Sequence, residues 1–429
     1  MPTKSSSADR SLTAAIPDQM RALVMDRVGF EHLRVQTVPT PRPGPRQILA
    51  RVDAAGICTS LIKLVEQGPD HKLVQGWDIT RFPIILGDEG AVTLVEVGKA
   101  LRKKYRPGTR YVIQPAVDHA PINHRDRYRD GARGLEKIAV GYTLPGHLAE
   151  YILITEETLA ANCLLPIPDP KLPYAHAAMA EPLSCVISAQ DHHVHLVQKP
   201  PLFGREASKG LRRGGVTVVL GAGAMGRMHV DLAMSYRPRA LVVSDFLQER
   251  LDRTNLLFGA RAKKLGIALH AVNGATVDVK ALVMELTSHH GADDVIVAVG
   301  SPRAVAGAQE LIGRGAVLNL FGGLKKGEET VGFDTGAIHY KEANITGSSG
   351  GAPWDVARTL ELMKKGEIDA GAHITRVGDL DHAVAFLTMV KAQQIDGKAV
   401  VYPHRRATGI CAVNAWTRAD EQAYLSDGS

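Results

Sequence analysis

The stretch Val216-Thr217-Val218-Val219-Leu220-Gly221-Ala222-Gly223-Ala224-Met225-Gly226 decides the architecture of this chain. Its first five residues are apolar or β-branched and read as a buried strand, and a helical run follows the last glycine. A bare G-x-G-x-x-G is weak in a chain with 42 glycines. The strand before it and the helix after it give it meaning. Gly221 permits a tight turn, Gly223 lets the backbone approach a pyrophosphate, and Gly226 lets helix and strand pack closely. Ala224 and Met225 open the helix, whose unpaired N–H groups would meet an anion.

Working downstream, strand and helix signals alternate. Strands are predicted at 216–220, 240–244, 294–299 and 316–320, with helices at about 224–235, 247–259, 277–289 and 303–313. That alternation predicts an α/β Rossmann fold, a doubly wound parallel sheet covered on both faces. Asp245 closes the second strand. A carboxylate there accepts hydrogen bonds from a ribose and repels a 2′-phosphate, which favours NAD over NADP; an ordinary helix cap is the blander role. Arg250 lies near and softens the preference. Val299-Gly300 and Phe321-Gly322-Gly323 end later strands and join the expected cofactor-binding set.

Upstream the texture differs. Short strands at 21–26, 48–54, 82–86, 91–97 and 109–114, punctuated by Gly and Pro, predict a mostly β domain. Pro39, Pro41, Pro43 and Pro45 make an extended connector. The run 118–133 is polar and basic and reads as a loop. The run 191–213 reads as an inserted linker. Its cluster Asp191-His192-His193-Val194-His195 could hold an adventitious metal, but a structural or surface role weighs more. The expected division is a disordered tail at 1–20, a catalytic domain at 21–195, a Rossmann domain at 196–348, a return to the catalytic domain at 349–404 and a tail at 405–429.

Composition narrows the class. The chain has 429 residues, 45% hydrophobic and 22% charged, with a formal net charge of +6. That length predicts two domains, and the mild positive charge reads as a solvated surface with no nucleic-acid partner. No apolar run approaches the roughly 20 residues that span a bilayer. Four cysteines without a C-x-x-C pair argue against a disulfide framework and a four-cysteine zinc lobe. A cytoplasmic protein is expected.

Chemistry has to come from the β-rich half, because a Rossmann sheet hosts many reactions. Cys58, Asp88, Glu89 and Glu181 stand out there: a thiolate and carboxylates can hold a divalent metal with one position open. Read alone this grouping is thin, since a lone Cys is usually buried filler.

A series of motifs in order strengthens it. They are P-x-P-x-P-G-P, A-A-G-I-C-T-S with Cys58, Gly87-Asp88-Glu89, P-G-T-R-Y, G-H-L-A-E-Y at 146–151, A-E-P at 180–182, the glycine turn, and I-H-Y-K-E-A-N-I-T-G-S at 338–348. Together they resemble the zinc-dependent medium-chain dehydrogenase/reductase (alcohol/polyol dehydrogenase) family over about residues 21–403. Glu181-Pro182-Leu183-Ser184, C-T-S-L-I-K and Q-G-P-D-H-K make it most similar to the L-sorbose 1-phosphate reductase and sorbitol dehydrogenase branch.

The resemblance implies a GroES-like catalytic domain. It implies Cys58, Asp88 and Glu181 as ligands of one catalytic Zn²⁺, with Glu89 as an additional or exchanging ligand and no structural zinc. It implies Ser60 as proton relay, with Lys63 where relatives often carry His. Asp88 stands at the family's His position, so the ligand set is more negative and a bound ion is a weaker Lewis acid. His71, His119 and His147 are possible substitutes for the missing imidazole. The implied reaction is NAD-dependent oxidation of a secondary alcohol on a polyol, sugar or cyclitol, with or without a phosphate, by a homo-oligomer (dimer or tetramer). Two alternatives stay open: a metal-free quinone or enone reductase, and a catalytically inactive NAD-binding regulatory protein.

Overall fold

The computed structural model describes residues 15–118, 120–199, 204–407 and 409–427. The chain divides into two compact units, one of residues 1–181, 352–364 and 370–429, the other of residues 182–351 and 365–369.

The second unit is built on six parallel strands in the order Ala268–Asn273, Ala240–Asp245, Val216–Leu220, Ala292–Val297, Ile312–Leu320, Asn344–Gly347. The chain starts in the middle, runs outward one way, then returns and runs outward the other way. Such a reversal leaves a crevice beyond the carboxyl ends of Val216–Leu220 and Ala292–Val297, where doubly wound sheets take their ligands. Apolar residues on both strand faces explain the uninterrupted hydrophobic run. Val216 and Val218 join a core with Val283 and Val305, while Val219 joins another with Val230, Leu251 and Phe258. The doubly wound sheet is as expected. Two strands escaped the sequence pattern: Ala268–Asn273, a part-exposed edge strand, and Asn344–Gly347. The strand expected at 294–299 runs instead over Ala292–Val297 and carries Asp293 and Asp294 inside it.

The run 191–213 is no linker. Val194–Lys199 and Gly204–Lys209 pair as an antiparallel hairpin, Val194 opposite Lys209. The exposed Gly204–Lys209 strand is polar, so it carried no apolar period to read.

The first unit is mostly β. Its largest sheet runs Leu164–Pro166, Arg110–Ile113, Glu89–Val97, Ile48–Gly56, Lys398–Tyr402, Ile374–Asp379, Cys411–Ala412, with Tyr151–Ile154 also paired to Ile48–Gly56. Ile48–Gly56 is central and almost wholly buried. Residues 405–429, expected as a tail, carry the strand Cys411–Ala412 and the helix Arg418–Ser426. Buried Glu421 ties that helix down by accepting the Tyr174 and Ala175 N–H groups and the Tyr402 hydroxyl, each at 2.8 Å. The strand Gln19–Met25 likewise begins inside the segment expected as an N-terminal tail.

Candidate active site

In the first unit, two central antiparallel strands set the site. Gly56 ends one and pairs with Glu89, which begins the next. A Cβ on Gly56 would lie 2.1 Å from Glu89 Oε2, so the close pass of that carboxylate requires glycine. Gly87 has φ 111°, and a Cβ there would meet the Leu148 amide nitrogen at 2.6 Å. Its turn sets Asp88 and Glu89 side by side. Cys58 lies just past the strand, and its carbonyl accepts the Leu61 N–H at the start of the helix Ser60–Gln67. Glu181 stands in the first turn of the helix Ala180–Asp191.

Glu89, Asp88 and Glu181 are buried, and Cys58 is partly buried against the β core. Ser60 Oγ donates to Asp88 Oδ2 at 2.5 Å. Lys398 Nζ donates to Glu89 Oε1 at 2.5 Å from the strand on the other side of Ile48–Gly56. Asp88 Oδ1 and Glu89 Oε2 are buried without a hydrogen-bond partner. Burial and the Glu89 charge push Asp88 up to about 6, against the pull of the Ser60 bond. The Cys58 thiol is raised further by burial, Asp88 and Glu89. Burial works against the Lys398 ammonium, yet Glu89 and Cys58 more than reverse it and raise its pKa. Four acidic groups thus share the field of Lys398. Unsatisfied buried carboxylate oxygens beside a thiol are the donors a divalent cation would use, so the residues fit one.

They are not drawn in as tightly as a closed ligand set. Among the described residues, the group of His, Cys, Asp or Glu whose ligand atoms all lie within 4.8 Å of one another is His193, His195 and Asp294, in the other unit.

Two residues of the acidic site escaped the sequence reading. Lys398 comes some 300 positions after its partner, and its only signal is a charge opening the apolar strand Lys398–Tyr402. Tyr142, in the turn after the basic loop, is buried and hydrogen-bonds Ser60; burial and the Asp88 charge raise its pKa. His71 packs on the Tyr142 ring at 5.3 Å. Burial lowers the His71 pKa, with Lys72 and Lys63 adding to the effect, while Lys63 itself is exposed. His147 is buried; Nδ1 lies 3.1 Å from the Gly87 carbonyl, and burial holds the ring neutral with a pKa of about 4. His119 lies outside the described residues. In the basic loop, Arg127 stacks on Phe82 at 4.2 Å and Arg129 pairs with Asp70 at 3.0 Å.

In the second unit the glycine turn has the expected form. Gly221 has φ 104°, and a Cβ on Gly226 would lie 1.8 Å from the Gly221 carbonyl oxygen. Gly223 caps the helix Ala224–Ala233. Asp245 Oδ2 accepts the Ala222 N–H at 2.8 Å and Oδ1 accepts the Leu247 N–H at 3.0 Å. Arg250 lies 3.5 Å from the same carboxylate. A Cβ on Gly322 would meet Val299 at 2.4 Å, and one on Gly300 would meet the Gly323 oxygen at 2.6 Å. These turns therefore pack together at the strand ends, next to Gly221. The sequence did not point to Arg227, which is buried beneath the turn and donates to the Ala222 carbonyl at 2.6 Å.

Two family models match: the alcohol dehydrogenase GroES-like domain over residues 44–169 and the zinc-binding dehydrogenase domain over residues 242–365. The chain is 31% identical over 407 residues to a mannitol-1-phosphate 5-dehydrogenase of Aliivibrio fischeri, covering 93% of this chain and 90% of the relative. The chain belongs to the zinc-type medium-chain alcohol/polyol dehydrogenase family. It is also 29% identical to an L-sorbose 1-phosphate reductase of Klebsiella pneumoniae, covering 87% of this chain and 86% of that one. A 2R,3R-butanediol dehydrogenase structure from Bacillus subtilis shares the fold with TM-score 0.70 at 21% identity, covering 90% and 100% of the two chains. Membership makes the protein an oxidoreductase of the alcohol dehydrogenase type. No helix among the described residues is long and apolar enough to cross a membrane.

Proposed function

We propose that this dehydrogenase interconverts a secondary alcohol and a ketone on a phosphorylated polyol or sugar, using NAD and a catalytic divalent metal. The observation that carries the reading is the set of part-buried Cys58 and buried Asp88, Glu89 and Glu181 around Lys398, with Asp88 Oδ1 and Glu89 Oε2 lacking partners. Cys58, Asp88 and Glu181 would hold the cation, with Glu89 as an exchanging ligand. When bound, such an ion polarises the alcohol oxygen and lowers its pKa, and the nicotinamide takes the hydride. A set rich in oxygen accepts harder ions as well as zinc. Lys398 offsets the charge that Asp88 adds where relatives carry imidazole.

The chain's own groups do the rest. Ser60 relays the alcohol proton, accepting it as it passes its own hydroxyl proton to Asp88 Oδ2, and its bonds to Asp88 and Tyr142 fix the hydroxyl's direction. Lys63, on the same helix, serves the exposed end of that relay. Burial keeps water from the acidic groups. The Gly221–Gly226 turn and helix N-terminus hold the pyrophosphate, and Asp245 holds the ribose against a 2′-phosphate. Val299-Gly300 and Phe321–Gly323 supply the close backbone surface for the nicotinamide end. The names of the mannitol-1-phosphate and sorbose 1-phosphate relatives support a phosphorylated substrate. We expect a cytoplasmic homo-oligomer, a dimer or tetramer by light scattering.

The test is a panel of polyols and sugar phosphates with NAD⁺ and NADP⁺, before and after chelation. Turnover of a sugar phosphate with NAD⁺ that chelation removes and metal restores is expected. Turnover of quinones alone, untouched by chelation, would overturn it in favour of a metal-free reductase. Silence with every substrate would favour the inactive cofactor-binding alternative.

A further inference from the structure

Among the described residues, the ligand atoms gathered within 4.8 Å of one another belong to the second unit and to none of the residues of the site just described. Asp294 sits on the parallel strand Ala292–Val297 and is fully buried. A carboxylate there stays only if other groups compensate its charge. His193 and His195 flank Val194 at the start of the hairpin, two residues apart and hence on one side of an extended chain. His193 Nδ1 lies 2.6 Å and His195 Nε2 2.9 Å from the same Asp294 oxygen, and both rings are buried. The other Asp294 oxygen accepts the Arg212 N–H at 2.8 Å.

Proton counting narrows what the cluster is for. His195 Nδ1 lies 3.3 Å from the Gly315 carbonyl oxygen, which can only accept, so Nδ1 carries a hydrogen. In a neutral ring, Nε2 then presents a lone pair to a carboxylate oxygen at 2.9 Å. Two lone pairs in that position need a cation between them, which either a second ring proton or a metal ion supplies. An imidazole that donates its far N–H to a backbone carbonyl is also the form in which metal-binding histidines are held. Two imidazole nitrogens and one carboxylate oxygen, all within 4.8 Å, make a donor set typical of zinc.

We propose that His193, His195 and Asp294 bind one divalent transition metal of the zinc class, which pins the hairpin Val194–Lys199/Gly204–Lys209 to the Rossmann sheet. None of these residues belongs to the proposed active site, so either site can exist without the other. The ion would be a structural staple, and its removal would loosen the hairpin before it changed any chemistry.

The test uses the full chain carrying Cys58→Ser, which disables the active-site set, and compares it with the same chain carrying His195→Gln in addition. Metal content is measured after dialysis against EDTA. The first protein should keep about one zinc per chain and the second should lose most of it. Substituted with Co²⁺, the Cys58→Ser protein should show visible ligand-field bands without thiolate charge transfer. If His195→Gln fails to fold, the Cys58→Ser protein alone decides: unfolding it should release the retained zinc, and refolding without metal should lower its Tm. The proposal is overturned if that protein holds no zinc, if His195→Gln leaves its zinc content unchanged, or if nitrogen NMR at neutral pH finds His195 doubly protonated in the fully folded chain as isolated, before any metal is removed.

Discussion

Asp88 and Asp294 are both aspartates buried in β-rich surroundings, yet they end in opposite states. Asp88 receives the Ser60 hydroxyl on one oxygen, while its other oxygen has no partner, and a second carboxylate, Glu89, lies beside it. Its pKa rises to about 6. Burial pushes Asp294 upward too, but His193 and His195 overturn that push and hold it at about 2. Burial alone therefore does not decide whether a carboxylate stays charged; the number and charge of its donors do. A site with acids in excess of donors is poised to take up something positive. In the metal-free chain, a site whose donors surround one oxygen already holds its charge.

Breaking the acid-rich site should give the largest effects. Cys58→Ser or Glu181→Gln should lower kcat/KM by about three orders of magnitude or more, since metal polarisation of the oxygen is worth several kcal/mol. Steady-state kinetics with metal content measured in parallel checks this; loss of activity with metal retained would move the role of these residues elsewhere. Lys398→Met tests the same site through stability. It leaves Glu89 buried beside other acids without its cation, so the metal-free protein should lose about 3–5 kcal/mol by denaturant unfolding. Added metal should restore part of the loss. An unchanged midpoint would mean that Glu89 simply takes up a proton when Lys398 is absent.

His147 sharpens the comparison with a basic group. Its neutral ring in the folded chain has a pKa of about 4, against about 6.5 for an unperturbed imidazole. The unfolded chain therefore binds the proton first as pH falls. The contribution to stability is complete above about 6.5 and is lost as pH drops toward 4, by about 3 kcal/mol in all. His147→Gln should flatten that part of the stability–pH curve in equilibrium unfolding; a curve as steep as that of the parent would place the loss on other groups. For the opposite cluster, Asp294→Asn should cost the metal-free protein about 2 kcal/mol by removing charge-assisted hydrogen bonds, with KM for the alcohol unchanged. A shift in KM would show that the two sites are linked.

The parts of this molecule that were legible in the sequence share one property: their signal is local. The glycine turn, its flanking strand and helix, and the short strands before residue 114 each follow from a period or a turn within a few residues. Cys58, Asp88, Glu89 and Glu181 could be grouped only because motifs of a known family stand around each of them. Lys398 and Tyr142 were invisible, because what makes them matter is a partner far along the chain, Glu89 for one and Ser60 for the other. The hairpin after residue 193 was hidden by its polar strand, whose ladder of backbone bonds leaves no trace in composition. The helix at the C-terminus was missed for a related reason. Glu421 looks like a solvated surface acid until its backbone partners at Tyr174 and Ala175 are seen.

Asp245 tests the rule at the smallest scale, because it lies between the two extremes. Each of its oxygens accepts one backbone N–H, from Ala222 at 2.8 Å and Leu247 at 3.0 Å, and Arg250 stands 3.5 Å away. It is therefore both a brace for the glycine turn and a charge at the place where a ribose would bind. Asp245→Asn separates the two roles. The amide keeps one acceptor oxygen, so the turn should lose only about 1 kcal/mol. The charge disappears, so the ratio of kcat/KM for NAD to that for NADP should fall about tenfold, equivalent to roughly 1.4 kcal/mol. Adding Arg250→Ala should then reverse the gain for NADP, since Arg250 would be the group meeting the 2′-phosphate. A ratio that stays fixed while the protein loses stability would make Asp245 a brace alone and move cofactor choice to another residue.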